Sequence, residues 1–323
     1  PPLRLGRSVT LCHMGAERVP QALLDSAAAR QGYNIGFLLW ELDRLPRAHR
    51  LALEMLDEIW VPSMFLHRLY RRHTDRPVTF MRKGITLPAP APCPGPPDGM
   101  RRFLVCFDQR SSVARKNPLA AVRAFARAFA GRDDVELVVK TTPIPPGHWG
   151  DPEGQMAEIR RIAETDPRIR LIEAQLPLPE LLGLVLSADC LVSPHRAEGF
   201  GYLPAFALSL GVPVVATDHS GTQDFCTPLT AYPVAAELVP VPDGQTILPA
   251  PGAQWAEVDA DALAATLCHV AAHPLEAFAR AGAGRLVMQT DYSMSAQAER
   301  YRARLETLGL VEGTPEAQSE ERA

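Results

Sequence analysis

Residues 190–217 read CLVSPHRAEGFGYLPAFALSLGVPVVAT, and the pattern of this stretch predicts the fold of the chain. An apolar run of strand length opens it, a loop with two glycines follows, and residues 203–210 predict a short helix that ends at Gly211. A second apolar run covers residues 214–216. Strands that are apolar along their whole length, rather than at every second residue, are typical of parallel sheets that helices cover on both faces.

The same alternation of strands and helices extends upstream. Asn117 and Pro118 predict the start of a helix, with Asn117 as its cap, and the apolar stripe of that helix ends before Gly131. Ser63 likewise predicts a capped helix that begins at Met64. Further strands are predicted over residues 8–12, 34–39, 58–61, 103–107, 135–139 and 169–172, and further helices over residues 155–163 and 179–186. We therefore expect an α/β protein whose parallel sheets are doubly wound through right-handed crossovers.

A proline-rich segment divides the chain into a short and a long part. Residues 88–99 read PAPAPCPGPPDG, which predicts a semi-rigid linker because proline disrupts helices and central strands. The part before it is too short for a complete doubly wound domain, and the chain begins at Pro1 without a methionine, so we expect a trimmed fragment. The expected organisation is a partial N-terminal domain over residues 1–87, the linker over residues 88–99, a C-terminal domain over residues 100–290, a helix over residues 291–310 that packs back on the N-terminal domain, and a frayed tail over residues 311–323.

The composition limits the class of protein. At roughly 100–200 residues per domain, a length of 323 residues corresponds to about two domains. A hydrophobic fraction of 46% excludes disorder of the whole chain, and a formal charge of −4 excludes a broadly cationic nucleic-acid binder.

No apolar run approaches the roughly 20 residues of a membrane span and no signal peptide is evident, so we expect a cytoplasmic protein. The six scattered cysteines lack a CxxC pair and predict buried thiols, not a disulfide framework or a zinc site.

Ionisable and small polar residues follow the predicted strands of the long part, at the point where each strand ends. They are Asp108, Gln109, Arg110, Arg115, Lys116, Lys140, Glu173, His195, Arg196, Glu198, Asp218, His219, Ser220 and Gly221. Because ligands bind beyond the carboxyl ends of parallel strands, this edge of the sheet is the predicted binding site.

The segment EGFGYLP over residues 198–204 predicts a site for a diphosphate. Its two glycines allow the backbone to approach a ligand, and the helix start after them offers free N–H groups. Lys116, together with Arg115 or Arg110, would add positive charge from the neighbouring loop. The glycines match the dinucleotide fingerprint GxGxxG only in part and follow the fourth strand rather than the first, and the chain contains no GxxxxGK[ST] motif, so neither an NAD-binding protein nor a P-loop NTPase is indicated.

The run from His195 to Phe225 resembles the donor-site signature of glycosyltransferase group 1 proteins, which are retaining GT-B enzymes of glycosyltransferase family 4. The segments that carry the resemblance are SPHRAEGFG at 193–201, ALSLGVPVVAT at 207–217, SGTQDF at 220–225, FD at 107–108 with RKNP at 115–118, NIGFLLWE at 34–41, DEIWVPS at 57–63, WAEVD at 255–259 and the helix over 296–308.

The resemblance implies a GT-B fold of two Rossmann-like domains that face each other across a cleft, the N-terminal one incomplete here. A nucleoside-diphosphate sugar would bind mainly to the C-terminal domain as co-substrate. Its sugar would pass, with retention of the anomeric configuration and without a metal or other cofactor, to a glycan, a lipid-linked or a small-molecule acceptor on the N-terminal domain.

The resemblance also assigns roles to single residues. Glu198 matches the glutamate that contacts the transferred sugar, and its carboxylate would stabilise an oxocarbenium-like transition state. Lys116 and Arg115 match the phosphate-binding basic pair, with Arg110 as the rival for the arginine role. The further expected donor-binding residues are Lys140, His195, Gly199, Phe200, Gly201, Ser220 and Gly221.

The sequence departs from the family pattern at Phe206, where the second glutamate of the motif Glu-x7-Glu usually binds the nucleotide ribose. Either the ribose is held otherwise, or donor affinity is reduced, or the chain is not a functional transferase. His13 is a candidate in the acceptor half by position only, and Trp40 and Glu41 either line the cleft or serve packing and solvation.

Three hypotheses therefore stand. The first is a glycosyltransferase, the second is a non-catalytic sugar-nucleotide binder or scaffold, and the third is another GT-B enzyme such as an epimerase or a phosphorylase. The basic amphipathic segment over residues 63–73 would permit peripheral contact with an anionic membrane, although an ordinary packed helix is the simpler interpretation.

Overall fold

The computed structural model describes residues 8–145, 148–151 and 154–311. These residues form two compact units. The first unit comprises the described parts of residues 1–40, 47–84 and 291–323, and the second comprises those of residues 41–46 and 85–290. No helix in the described ranges is long and apolar enough to cross a membrane. The six cysteines are free, with Cys12, Cys190 and Cys226 buried and the other three, predicted to be buried, only partly so.

The first unit is built on a parallel four-stranded sheet. The strands lie in the order β1-β2-β3-β4, with His13 opposite Phe37 at the carboxyl ends of the first two. Its elements before the linker are β1 (Val9–His13), α1 (Val19–Asp25), β2 (Tyr33–Phe37), α2 (Arg50–Met55), β3 (Glu58–Val61), α3 (Met64–Arg71) and β4 (Val78–Phe80), with 3-10 turns at Ala16–Arg18, Ala29–Gln31 and Arg47–His49. Ser63 caps α3 as predicted, because its Oγ accepts a hydrogen bond of 3.3 Å from the N–H of Leu66.

The second unit is built on a parallel six-stranded sheet in the order β10-β9-β8-β5-β6-β7 and a small antiparallel pair, β11 and β12. Its elements are β5 (Arg101–Asp108), α4 (Val113–Lys116), α5 (Pro118–Ala128), β6 (Val135–Thr142), α6 (Gln155–Thr165), β7 (Ile169–Glu173), α7 (Leu178–Leu186), β8 (Cys190–Ser193), α8 (Tyr202–Leu210), β9 (Val214–Thr217), β10 (Tyr232–Val234), β11 (Ala236–Pro240), β12 (Gln254–Val258), α9 (Ala260–Ala272) and α10 (Pro274–Asp291), with 3-10 turns at Gln109–Ser111 and Ser220–Asp224. The last helix, α11 (Met294–Thr307), belongs to the first unit.

The strand order of the second unit determines where a ligand can bind. From β5 the chain proceeds to β6 and β7 on one side and then returns to β8 and β9 on the other side. The connections therefore diverge between β5 and β8, and at such a switch point the loops beyond the carboxyl ends of the strands leave a crevice. Residues 109–116 and 194–201 are the loops that follow these two strands.

The start of α5 differs from the prediction in its mechanism. Pro118 occupies the first helical turn as expected, but Asn117 adopts a left-handed conformation and its side chain makes no capping hydrogen bond. Its Nδ2 instead donates to Glu257 Oε1 at 3.0 Å. The helix is held by its apolar face, where Phe125 contacts Phe103 and Phe129 at ring-centroid distances of 6.2 and 5.1 Å.

The proline-rich segment has no regular secondary structure and runs along α7 of the second unit. The N–H of Ala91 donates to the carbonyl of Pro179 at 2.8 Å. A Cβ on Gly183 would lie 2.1 Å from the carbonyl oxygen of Ala91, so only glycine permits this close approach.

Candidate active site

The loop after β5 presents two adjacent basic side chains. Asp108 caps the 3-10 turn that ends the strand, and Ser112, with a φ of 73°, then caps the single-turn helix α4 through a hydrogen bond from the N–H of Arg115. Arg115 and Lys116 occupy the end of α4. Since left-handed conformations are costly for residues other than glycine, Ser112 before the helix and Asn117 after it mark a turn that its surroundings hold in place.

Both basic side chains converge on Glu198 in the loop after β8. Lys116 Nζ contacts Glu198 Oε1, and Arg115 Nη1 lies 3.4 Å from Glu198 Oε2. The structure therefore brings the carboxylate together with the basic pair, although Glu198 lies 82 residues after Lys116 along the chain.

Arg115 is buried, and both terminal nitrogens of its guanidinium donate to backbone carbonyls. Nη1 donates to the carbonyl of Ala197 at 2.8 Å, and Nη2 donates to the carbonyl of Ser111 at 2.9 Å. Nη2 also lies 3.6 Å from Glu41 Oε1. Burial alone would lower the pKa of Arg115, but Glu41 and Glu198 raise it above its usual value. This arginine is therefore a fixed positive charge that also connects the loops after β5 and β8.

Glu198 is ionised at any ordinary pH. Burial alone would raise the pKa of its carboxyl group, but the positive charges of Lys116 and Arg115 outweigh that effect and lower the pKa to about 2. The side chain is 12% exposed, so its charge is screened by little water. The site thus combines an ionised carboxylate with the basic side chains of Lys116 and Arg115.

The backbone around Glu198 packs tightly against the loop after β9. The N–H of Glu198 donates to Ser220 Oγ at 2.9 Å, and the N–H of Gly221 donates to the carbonyl of Glu198 at 2.9 Å. A Cβ on Gly221 would lie 2.4 Å from the carbonyl oxygen of Gly199, so the two loops touch through their backbones. Gly201, with a φ of 96°, then turns the chain into α8, which places the first turn of that helix next in the chain after the loop of Glu198.

His195 is buried and has a positioning role. Its Nδ1 lies 3.0 Å from the carbonyl oxygen of Ser193, and its Nε2 lies 3.1 Å from Thr222 Oγ1. Burial lowers the pKa of the ring to about 4, so the ring is neutral and its hydrogen bonds connect the loops after β8 and β9. Phe200 is also buried, and its ring packs on Phe225 at 5.3 Å, so its side chain supports the loop from inside.

Lys140 lies in β6 opposite Cys106 of β5. It is 4% exposed, and among the described residues its ammonium group makes no hydrogen bond or ion pair. Burial raises the pKa of the Cys106 thiol to about 11, and the positive charges of Lys140 and Lys116 oppose that rise. Both ammonium groups therefore lie near the same thiol at this edge of the sheet.

The structure does not bring Arg110 to Glu198. Its guanidinium is 56% exposed and forms a bidentate pair with Asp108 at 2.7–3.1 Å. Of the two arginines weighed for the phosphate-binding role, Arg115 is the one that lies beside Glu198 and Lys116. The link from Glu41 to Arg115 was missed, although Glu41 ends a strand-like run and so carried a signal of a site residue.

The remaining candidates lie elsewhere. His13 stacks on Phe37 of the first unit at 4.7 Å, and Trp40 is buried with its ring edge-on to His49 at 4.9 Å. Phe206 is half-buried on α8, with its ring 5.9 Å from that of Tyr202. In the described ranges, no three His, Cys, Asp or Glu side chains are grouped so that they could hold a metal ion.

The fold matches solved GT-B glycosyltransferases. TarM of S. aureus, in complex with fondaparinux, α-GlcNAc-glycerol and UDP, is 10% identical with a TM-score of 0.66, over 91% of this chain and 54% of TarM. Sucrose-phosphate synthase of Thermosynechococcus elongatus is 17% identical with a TM-score of 0.69, over 94% of this chain and 74% of the synthase. Alr3699/HepE of Anabaena, in complex with UDP and glucose, is 12% identical with a TM-score of 0.67, over 93% of this chain and 78% of HepE.

A protein-family model matches residues 63–300 of the chain. The chain belongs to GT4-conflict, described as Family 4 Glycosyltransferase in conflict systems. The resemblance to family 4 and the predicted α/β fold are thereby confirmed. The chain spans about half the length of TarM, 54%, and no curated protein matches it.

Proposed function

We propose that this chain is a retaining glycosyltransferase that takes a sugar from a nucleoside-diphosphate sugar and passes it to a glycan, a lipid-linked or a small-molecule acceptor. One observation carries the proposal: the side chains of Lys116 and Arg115 both contact the carboxylate of Glu198 at the switch point of the second unit. The family supports a transferase, and the solved structures of TarM and HepE contain UDP.

The cations suit a diphosphate. Lys116, Arg115 and Lys140 contribute three positive charges, and the carboxylates of Glu198 and Glu41 balance two of them. An ammonium group buried without a partner is unfavourable, so an anion bound beside Lys140 would relieve its cost. The first N–H groups of α8 would add the partial positive charge of a helix N-terminus.

The reaction needs both signs of charge. The bond between the anomeric carbon and the diphosphate oxygen breaks, and the cations stabilise the charge that develops on that oxygen. The acceptor hydroxyl oxygen forms the new bond on the same face, and its proton leaves with the diphosphate. Glu198, ionised throughout, stabilises the positive charge on the sugar ring. Because Lys116 supplies charge to the phosphates, it would exchange its contact with Glu198 for one with the donor, and the proposal requires no resident metal or other cofactor.

A non-catalytic sugar-nucleotide binder is the second candidate, and Phe206 favours it because this position lacks a carboxylate for the ribose. Both candidates predict binding of a nucleoside diphosphate, and only the first predicts turnover. Release of nucleoside diphosphate from one sugar donor, with the sugar recovered on an acceptor, separates them.

Calorimetric titration with UDP, GDP, ADP and their sugars tests the proposal. Lys116→Ala should weaken the binding of the preferred nucleotide by about 2 kcal/mol, since hydrogen bonds to charged groups contribute roughly 1.5–3 kcal/mol. Glu198→Gln should retain nucleotide binding and lose turnover about 100-fold or more, because it removes only the charge that the transition state needs.

Two variants serve as controls for the Lys116 and Glu198 results. Arg123→Ala removes an exposed arginine of α5 that pairs with Glu158, and it should change neither affinity nor turnover. Arg110→Ala should also leave affinity unchanged, because its guanidinium pairs with Asp108. The proposal is wrong if no nucleoside diphosphate binds, or if Lys116→Ala binds it as tightly as the unaltered chain does.

A further inference from the structure

The exposed face of α8 carries two aromatic rings beside the proposed diphosphate site. Tyr202 is 39% exposed and Phe206 is half-buried, and their ring centroids lie 5.9 Å apart. The ring of Tyr202 rests edge-on against Phe200 at 5.3 Å, and Phe200 in turn packs on Phe225. We name Tyr202 and Phe206 the aromatic shelf: the buried ring of Phe200 supports Tyr202, and Tyr202 in turn contacts Phe206.

The shelf begins where the diphosphate is proposed to bind. Tyr202 is the first residue of α8 and follows Gly201, four residues after Glu198. Phe206 is four residues further on, so the two side chains lie on the same face of the helix, separated by about one turn, or roughly 6 Å of rise. The nucleoside of a nucleoside diphosphate is bonded directly to the phosphates, and a nucleoside attached at this helix N-terminus lies within reach of the shelf.

Along α8 there is little that could bind the hydroxyl groups of a ribose. The helix reads YLPAFALSL and contains no carboxylate and no amide side chain. Its only polar side chains are the phenol of Tyr202 and Ser209, whose Oγ donates to the carbonyl of Ala205 at 2.7 Å. Pro204 also removes one N–H group from the first turn. A ligand that lies along this face meets mainly ring surfaces, and it meets no carboxylate and no amide side chain.

We propose that the nucleoside of the donor packs on the aromatic shelf through apolar and stacking contacts, and that the protein does not recognise the ribose 2′-hydroxyl. Ribonucleoside and 2′-deoxyribonucleoside diphosphates are then equivalent ligands. This inference rests on the proposed function, and it assigns to Tyr202 and Phe206 the binding of the nucleoside part of the donor. Stacking does not distinguish ribose from deoxyribose, because it joins the face of the base to the face of an aromatic side chain.

Calorimetry with matched pairs of nucleotides tests the inference on the full chain. The titrations compare each of UDP, GDP and ADP with its 2′-deoxy form. For the pair that binds best, the two affinities should agree within about twofold, since no hydrogen bond distinguishes the two nucleotides. Tyr202→Ala should weaken both members about tenfold through the loss of a stacking ring. Inorganic pyrophosphate should bind Tyr202→Ala as it binds the unaltered chain.

The variant Phe206→Glu should gain selectivity for ribonucleotides over deoxyribonucleotides. A carboxylate at this position can accept hydrogen bonds from ribose hydroxyls, so the variant should prefer the ribonucleotide by about tenfold, as one charged hydrogen bond allows. Phe206→Gln repeats the test without a new charge beside the phosphates. Ser209→Ala, on the same helix, is the control and should leave all affinities unchanged.

The outcomes separate the two proposals. Binding of the ribonucleotide more than about twofold tighter than the deoxyribonucleotide by the unaltered chain overturns the inference and leaves the proposed function standing. Equal affinities of Tyr202→Ala and the unaltered chain for the nucleotide overturn it as well. If pyrophosphate and every nucleoside diphosphate fail to bind the unaltered chain, the proposed function itself is wrong.

Discussion

His195 lies among the oxygen atoms of Ser193, His219 and Thr222, with no exposed surface. Its position after a strand and the family resemblance both predict that it binds the donor. The structure instead gives both ring nitrogens protein partners, and a donor-binding role for the ring stays a prediction. Sequence order could place His195 at the sheet edge, but it could not tell which way the ring points, because its partner Thr222 comes from a different loop.

This burial predicts a pH dependence of stability. The unfolded ring titrates near pH 6.5 and the folded ring near pH 4, so the unfolded state binds more protons between these values. The free energy of unfolding should therefore fall as the pH drops from 6.5 to 4, by at most about 3–4 kcal/mol for His195 at roughly 1.4 kcal/mol per pKa unit. His49, whose pKa burial also lowers to about 4, adds a similar slope in the first unit.

Urea unfolding at several pH values measures the effect. His195→Gln should be less stable than the unaltered chain at pH 7 and should lose less stability between pH 6.5 and pH 4. The remaining slope is due to carboxylates such as Glu198 and to the other histidines whose pKa the fold lowers, which are His13, His49, His67 and His219. His273→Gln, which changes an exposed histidine, should keep the full slope. An unaltered slope in His195→Gln would show that the ring is not buried as a neutral group.

At the scale of elements, the loops after β8 and β9 depend on glycine for their close contact. A Cβ on Gly221 would meet the carbonyl oxygen of Gly199 at 2.4 Å and the nitrogen of Phe200 at 2.8 Å. Both are backbone atoms that cannot turn aside, so Gly221→Ala must displace the loop that carries Glu198.

We expect Gly221→Ala to lower the free energy of unfolding by about 1–3 kcal/mol, the usual cost of overpacking, and to weaken nucleotide binding in the same titrations. The matched control is Gly282→Ala in α10, where an added Cβ meets no atom within 4 Å. That variant should be as stable as the unaltered chain or gain about 0.5–1 kcal/mol, since alanine favours a helix interior. Wild-type affinity in Gly221→Ala would mean that the loop contact does not position Glu198.

The elements that sequence could predict are those with a strong local pattern. The strands of the large sheet are continuous apolar runs, and helices such as α6 and α8 lie between them, so both could be predicted within a few residues. The predictions missed β4, which has three residues, and the pair β11 and β12, whose exposed face interrupts the apolar pattern. They also missed β10, α1, α2, α9 and α10, and in α10 the residues Gly282 and Gly284 weaken the helix signal. The Lys140–Cys106 register was out of reach because strand pairing is not local.

For the molecule as a whole, the net charge does not indicate the charge of the candidate site. The chain carries a formal charge of −4, which excludes a broadly cationic surface, yet Lys116, Arg115 and Lys140 gather at one sheet edge. Sequence could predict this gathering, because parallel strands end at a common edge. It could not choose between Arg115 and Arg110, because the choice depends on the turn that pairs Arg110 with Asp108.

The first unit is completed by chain segments that are far apart in the sequence. Glu58 of β3 is buried, and it accepts hydrogen bonds from Arg304 of α11, 246 residues away, through Nε at 2.8 Å and Nη2 at 3.0 Å. Trp60 and Thr79 donate to the same carboxylate at 2.7 Å each. Burial alone would raise the pKa of Glu58, but these donors outweigh that effect and hold the pKa below its usual value.

Arg304→Ala should therefore destabilise the first unit by about 3–5 kcal/mol, because it leaves a buried carboxylate without its cation. Arg304→Lys keeps the charge but not the two-pronged contact and should lose part of that amount. Arg302→Ala, on the same helix, removes a side chain without an ion pair among the described residues and should cost less than about 0.5 kcal/mol. Urea unfolding followed by circular dichroism and tryptophan fluorescence measures the effect, and Trp60, whose ring lies 4.5 Å from Tyr301 of α11, contributes one of the four tryptophan signals. Equal midpoints for the Arg304 and Arg302 variants would mean that α11 is held by apolar packing alone, through Tyr301 and its neighbours, and that the ion pair contributes nothing measurable.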